Sequence, residues 1–132
     1  MIKYMNIKSR QRVEFINITA EVEAAVRESK VDSGLCVVFV PHTTAGVTIN
    51  EGADPAVQRD INAHLTRLVP HENGFTHSEG NSDAHIKSSL MGASCSIPVD
   101  EGKPVLGTWQ AVYFCEFDGP RHRRAIIKLL KG

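Results

Sequence analysis

The chain has 132 residues, 42% of them hydrophobic and 23% charged, which suits one globular unit with a core of ordinary size. Its 15 Lys and Arg balance 15 Asp and Glu, so no global basic field draws it to nucleic acid. No apolar stretch approaches the roughly 20 residues of a membrane span, and residues 1–6 hold neither an apolar run nor a cleavage site, so a cytoplasmic protein with no membrane partner is expected.

Residues 1–18 read as two short strands around the polar Ser9-Arg10-Gln11 turn, with Val13 and Phe15 alternating with Glu14. Thr19 is expected to cap a helix over 20–30, where Val22, Ala25 and Val26 form a narrow apolar stripe. The run from Gly34 to Val40 is apolar and β-branched, the pattern of a central strand buried on both faces. Val47 and Ile49 alternate with Thr48 and Asn50 in a further strand. Asp54-Pro55 opens the clearest helix: Asp54 caps, and Pro55 takes the first position, where its missing N–H costs nothing. Its stripe is Val57, Ile61, His64, Leu65 and Leu68, which makes His64 a packed core histidine, and Pro70 ends it.

Residues 70–81 are polar and irregular, the kind of long loop that often carries function. Ser82 or Asp83 caps a short helix through Met91, with Gly92 as its stop. Alternation then gives a strand over 93–99, a turn at 100–103 and a strand over 105–117. In that last strand Trp109, Ala111, Tyr113, Cys115 and Phe117 share one face, and Gln110, Val112, Phe114 and Glu116 the other. The tail 124–131 is expected to pair as a strand after the Gly119-Pro120 corner. The sum is an α+β chain, an antiparallel β-rich sandwich with three short helices in a single domain over 1–132. The three cysteines, Cys36, Cys95 and Cys115, match no zinc spacing and lie in apolar segments, where they read as small buried hydrophobes.

Chemistry-bearing residues fall in separate clusters. Pro41-His42-Thr43-Thr44 follows directly on the buried strand, where a rigid scaffold presents a ligand or base. Asn50 and Glu51 lie between a strand and a helix start. The stretch from His71 to Ser89 holds His77, Glu79, Asn81, Asp83 and His85. His85 stands in a first helical turn, with Ser88 and Ser89 one turn on. Backbone N–H groups there favour an anion such as phosphate, and a neutral imidazole there equally suits a metal. Gln110 and Glu116 share a half-apolar face, and Arg121, Arg123 and Arg124 follow with guanidinium forks for phosphate.

In order along the chain, His42-Thr-Thr-Ala-Gly-Val-Thr-Ile-Asn-Glu51, Asp54-Pro, His77 with Glu79-Gly-Asn81, Ala84-His-Ile-Lys-Ser-Ser-Leu90, Leu106-Gly-Thr-Trp-Gln110 and Glu116-Phe-Asp-Gly-Pro-Arg121 resemble the YjbQ-like family, also called the secondary thiamine-phosphate synthase family. One mild departure is Ala111, where Gly is expected. The resemblance implies a β-rich sandwich assembled as a homotrimer. It also implies an enzyme, a transferase joining hydroxymethylpyrimidine diphosphate to a thiazole phosphate with release of pyrophosphate, the physiological substrate being unsettled. A non-catalytic trimer binding a metal or small ligand, or a metal-assisted hydrolase or lyase, is the alternative. For that chemistry Glu51, His85 and Glu116 are the catalytic candidates. Thr43, Thr44, Asn50, Asn81, Lys87, Ser88, Trp109, Gln110 and Arg121 are the candidates for contact with the phosphorylated substrate. The divalent metal is expected either as zinc on His42, His77 and His85 or as magnesium arriving with the diphosphate.

Overall fold

The structure, a computed structural model, describes residues 1–132. The chain order is β1 (Ile2–Lys8), β2 (Glu14–Asn17), α1 (Thr19–Ser29), β3 (Gly34–Phe39), β4 (Ala45–Glu51), α2 (Pro55–Leu68), α3 (Ser82–Met91), β5 (Ser94–Asp100), β6 (Lys103–Pro104), β7 (Gln110–Glu116) and β8 (His122–Lys131). Two antiparallel sheets form, β1-β8-β3-β5-β6 and β2-β7-β4. This is the expected α+β architecture, with the Gly34 run as the middle strand of the larger sheet.

The core lies where the sheets and α1 meet. Cys36 and Val38 of β3, Ile97 and Val99 of β5, Ala125, Ile127 and Leu129 of β8, and Val112 and Phe114 of β7 close around Val22, Ala25 and Val26 of α1. Each large side chain fully removed from water there contributes about 1.5–3 kcal/mol before the entropy of ordering it. The opposite face of β7 is covered too: Ala111, Tyr113, Cys115 and Phe117 pack with Ala84 of α3. Burial pushes the Cys36 thiol up to about 11 and the Cys115 thiol higher still, so both behave as hydrophobes.

Several local expectations change. Thr19 is not the cap of α1. The Thr19 N–H donates to Asn17 Oδ1 at 3.0 Å, and Thr19 Oγ1 accepts from the Val112 N–H at 2.9 Å, tying the helix start to β7. α2 has its Asp54 cap, with Oδ1 accepting from the Ala56 N–H at 2.9 Å, yet it buries no residue completely. Val57, Ile61 and Leu65 are half-buried, while His64 and Leu68 stand on the rim in solvent, so His64 is not a core histidine. The strand expected over 105–117 begins only at Gln110. A tight turn closes before it, with the Gln110 N–H donating to the Gly107 carbonyl and the Gly107 N–H to Gln110 Oε1. That turn lifts Trp109 out of the ladder and leaves it 65% exposed.

The last turn into β8 is equally constrained. A Cβ on Gly119 would overlap the Gln11 carbonyl oxygen and crowd Ser9 Oγ and Glu116 Cγ, so only glycine lets these backbones close on one another.

Candidate functional site

β3 ends at Phe39 and delivers Val40, Pro41, His42 and Thr43 to one end of the sandwich. The start of α3 brings Asn81 and His85 there, with Glu79 from the preceding loop. The β7–β8 corner brings Asp118, Arg121 and Arg123. Together they line an open cavity of about 520 Å³. It thus unites three segments far apart in sequence, including Thr43, Thr44, Asn81 and Arg121 of the expected substrate contacts and His85 of the expected catalytic residues.

The floor of this cavity is a buried ion pair. Glu116 is fully buried, and Arg123 is 6% exposed. Arg123 Nε donates to Glu116 Oε1 at 2.9 Å, and its Nη2 donates to Glu116 Oε2 and to Thr44 Oγ1. Ser9 Oγ donates to Glu116 Oε1 at 2.6 Å and accepts from the Arg121 N–H at 2.8 Å. The Asp118 N–H donates to Glu116 Oε2 at 3.0 Å. Burial pushes the Glu116 carboxyl up, but the bonds from Arg123, Ser9 and Asp118 outweigh it and hold it below its ordinary value. Both oxygens are committed to the protein, so Glu116 positions Arg123 and Thr44; it does not reach a reactant or a cation, as was expected of it.

His42 is fixed from outside the cavity. Its Nε2 accepts the Arg124 backbone N–H at 2.9 Å, so in the neutral ring the proton sits on Nδ1. Burial, and then the Arg123 charge, lower its pKa, which keeps the ring neutral at pH 7. His42 is therefore a hydrogen-bond donor to the cavity and has no free lone pair for a metal. His85 faces His77, the ring centroids 5.4 Å apart and perpendicular. His77 Nε2 lies 3.6 Å from Glu79 Oε2. No three His, Cys, Asp or Glu side chains of the chain stand together in a geometry that would hold a metal ion. The expected three-histidine zinc centre does not fit the arrangement within one chain.

Under the start of α3 lies a second buried network. Asp83, fully buried, accepts Arg12 Nη1 and Nη2 at 3.0 and 3.1 Å and contacts His71 Nδ1 at 3.2 Å. Lys87, 2% exposed, stands 3.9 Å from the same carboxylate. Burial again opposes ionisation of Asp83, and the Arg12 and His71 bonds prevail and lower its pKa. Burial lowers the Lys87 pKa, only partly countered by Asp83. Lys87 is thus an anchor inside the fold, where phosphate contact was expected.

The remaining candidates lie elsewhere. Asn50, Glu51, Trp109 and Gln110 line a separate depression of about 330 Å³ with Ile49. Glu51 Oε2 accepts from the Ala53 N–H at 2.7 Å and so braces the turn into α2. Ser88 donates to the Ala84 carbonyl and borders a shallow depression beside His42 and His85. Two residues central to these networks, Ser9 and Arg12, carried no signal beyond a polar turn.

The model of the family described as UPF0047 protein YjbQ-like matches residues 3–132. A UPF0047 protein of Methanocaldococcus jannaschii is 54% identical over 130 residues, covering 98% of this chain and 94% of its own length. The UPF0047 protein YugU of Bacillus subtilis is 49% identical, over 98% of this chain and 99% of its own. A crystal structure of a YjbQ/UPF0047 family protein from Clostridium acetobutylicum is 52% identical and superposes with a TM-score of 0.96 over 97% of this chain and 99% of that one. Matched along nearly its whole length in sequence and in fold, the chain belongs to the UPF0047 YjbQ-like family.

Proposed function

We propose that this chain is an enzyme of phosphorylated small molecules, with thiamine-phosphate synthase chemistry as its assayable, secondary activity. The observation that carries the reading is the convergence of donors on one cavity: His42 Nδ1–H, the exposed Thr43 hydroxyl, Arg121 and Arg123 stand around the start of α3. Each guanidinium is held by its own carboxylate, Arg121 by Asp118 at 2.9 Å and Arg123 by Glu116, so the donors are fixed in place before a phosphate arrives. Displacement of pyrophosphate needs the leaving group's charge met, the rings oriented and no general base, because the thiazole nitrogen attacks directly. Arg121, Arg123 and the α3 start meet the charge, and Mg²⁺ accompanying the diphosphate adds to it. Phe39, Val40 and Pro41 give the cavity its apolar rim. His85 borders the cavity and is the catalytic candidate that the geometry retains.

The test is pyrophosphate release from hydroxymethylpyrimidine diphosphate and thiazole phosphate in Mg²⁺ buffer. Wild type should turn over, and His85→Ala should be slower by about 10²-fold, the scale of losing a group that positions the reactants. Release that is equal in both proteins, or absent in wild type across phosphorylated substrates, would favour a non-catalytic ligand-binding protein.

A homotrimer is part of the same proposal. Tyr4, Ile126 and Phe39 lie side by side across β1, β8 and β3, and Ile2 and Leu130 extend this uncovered outer face. An apolar sheet face of this kind is normally covered by a partner. Light scattering is expected to give three times the chain mass, and a monomer mass in solution would remove the proposal.

A further inference from the structure

We infer that the cavity selects a ligand carrying an N–H donor beside its phosphate, recognised by Asn81. This rests on the proposed phosphate-binding role of the cavity and names the class of molecule it takes. Asn81 lines the cavity and is only 8% exposed. Its Nδ2 donates to Asp118 Oδ2 at 2.8 Å, while its Oδ1 is buried and accepts from no group of the protein. The amide cannot be turned round to cure this. Asp118 is held ionised: burial opposes its charge, but the bonds from Asn81 and Arg121 lower its pKa. A carboxylate only accepts, so Oδ1 facing it would leave two acceptors opposed.

Nor is Oδ1 spent on the helix. Asn81 stands at the cap position of α3, where such a side chain ordinarily accepts from the first turn, and it makes no capping bond. Its backbone carbonyl takes the Ala84 and His85 N–H groups instead. A buried acceptor left unpaired is costly, and such costs collect at binding sites.

Charge points the same way. The cavity wall carries Glu79 and Asp118 as well as Arg121 and Arg123. With Glu116 already paired to Arg123 beneath, three carboxylates stand against two guanidiniums, which suits a dipolar ligand better than a bare polyanion. The phosphate belongs with the arginines, His42 and Thr43. The donor belongs at the Asn81, Asp118 and Glu79 corner.

Two probes differing in one group separate the possibilities: 2-aminoethyl phosphate and ethyl phosphate, titrated calorimetrically into the folded wild-type protein. The amine is expected to bind about tenfold tighter, the scale of one hydrogen bond to a buried acceptor. The Asn81 side-chain amide signal in a ¹⁵N spectrum should shift with the amine probe and not with ethyl phosphate. In Asn81→Ser, which keeps a good capping residue, the preference for the amine over ethyl phosphate should fall to about one. If that variant fails to fold, the wild-type ratio and the Asn81 signal decide. Equal binding of the two probes by wild type overturns the donor inference and leaves the phosphate site standing. A preference that survives in Asn81→Ser moves the recognition to Glu79 and Asp118 and overturns the role of Asn81. Binding of neither probe overturns the phosphate site and this inference with it.

Discussion

Arg123→Ala is expected to destabilise the fold by about 3–5 kcal/mol, because it leaves a fully buried carboxylate without its countercharge. Domains of this size are stable by about 5–15 kcal/mol, so the variant will stand close to unfolding. The loss exceeds that of a surface ion pair, worth about 0–1 kcal/mol, because neither partner can fall back on water. Urea denaturation measures it directly, and a loss under about 1 kcal/mol would mean that solvent reaches Glu116. The sign of the pH dependence gives a second reading. The folded-state pKa of Glu116 lies below its unfolded value, so the stability it contributes is present above that value, about 4.3, and is lost as pH falls through the folded value. Asp83 and Asp118, also lowered, act in the same window. His42 adds to the trend from about pH 6.5 downward, since the folded state resists its protonation. Wild type should therefore weaken steeply below about pH 4, and the gap between it and Arg123→Ala should narrow there, because protonated Glu116 no longer needs a cation.

The fold was largely legible because its strands obey simple patterns. A continuous β-branched run marks the middle strand of the larger sheet, although only its Cys36–Val38 face is buried and its other face ends in the exposed Phe39, and Asp54-Pro55 marks a helix start by two independent constraints, a cap and a fixed φ. The site was half legible. His42, Thr43 and Thr44 and the β7–β8 corner do meet. Asn50 and Glu51 were expected at the same site through the family resemblance. However, β4 runs seven residues between the two groups, and at about 3.3 Å per residue it carries Glu51 some 20 Å away. The β4–β7 register makes the same separation, setting Ala45 opposite Glu116 and Glu51 opposite Gln110. Trp109 and Gln110 therefore go with Glu51 to one end, and Glu116 and Asp118 go with Thr44 to the other. Neither Ser9 nor Arg12 was readable, because the meaning of each comes from an acid more than 70 residues away. No local pattern encodes such a pairing.

The Asp83 network invites a prediction in which a second loss repairs the first. Asp83→Ala should cost about 3–5 kcal/mol, since it strands cations in a place with little water. The cost should not be shared evenly between them. The Arg12 side chain is 37% exposed and can turn to solvent, whereas the Lys87 side chain, at 3%, has no such escape. Most of the penalty therefore belongs to the lysine, and Lys87→Met, which keeps its length and removes its charge, should recover more than half of it in the double variant. Lys87→Met alone should be nearly neutral, because Arg12 and His71 still satisfy Asp83. A four-corner denaturation cycle measures the coupling. If Arg12→Met rescues Asp83→Ala better than Lys87→Met does, the stranded charge is the guanidinium, and Asp83 serves chiefly to tie the β1–β2 turn to α3. If the lysine substitution gives the rescue, the network holds a desolvated ammonium within the helix that also carries His85, and the placement of that histidine depends on keeping its neighbour neutralised.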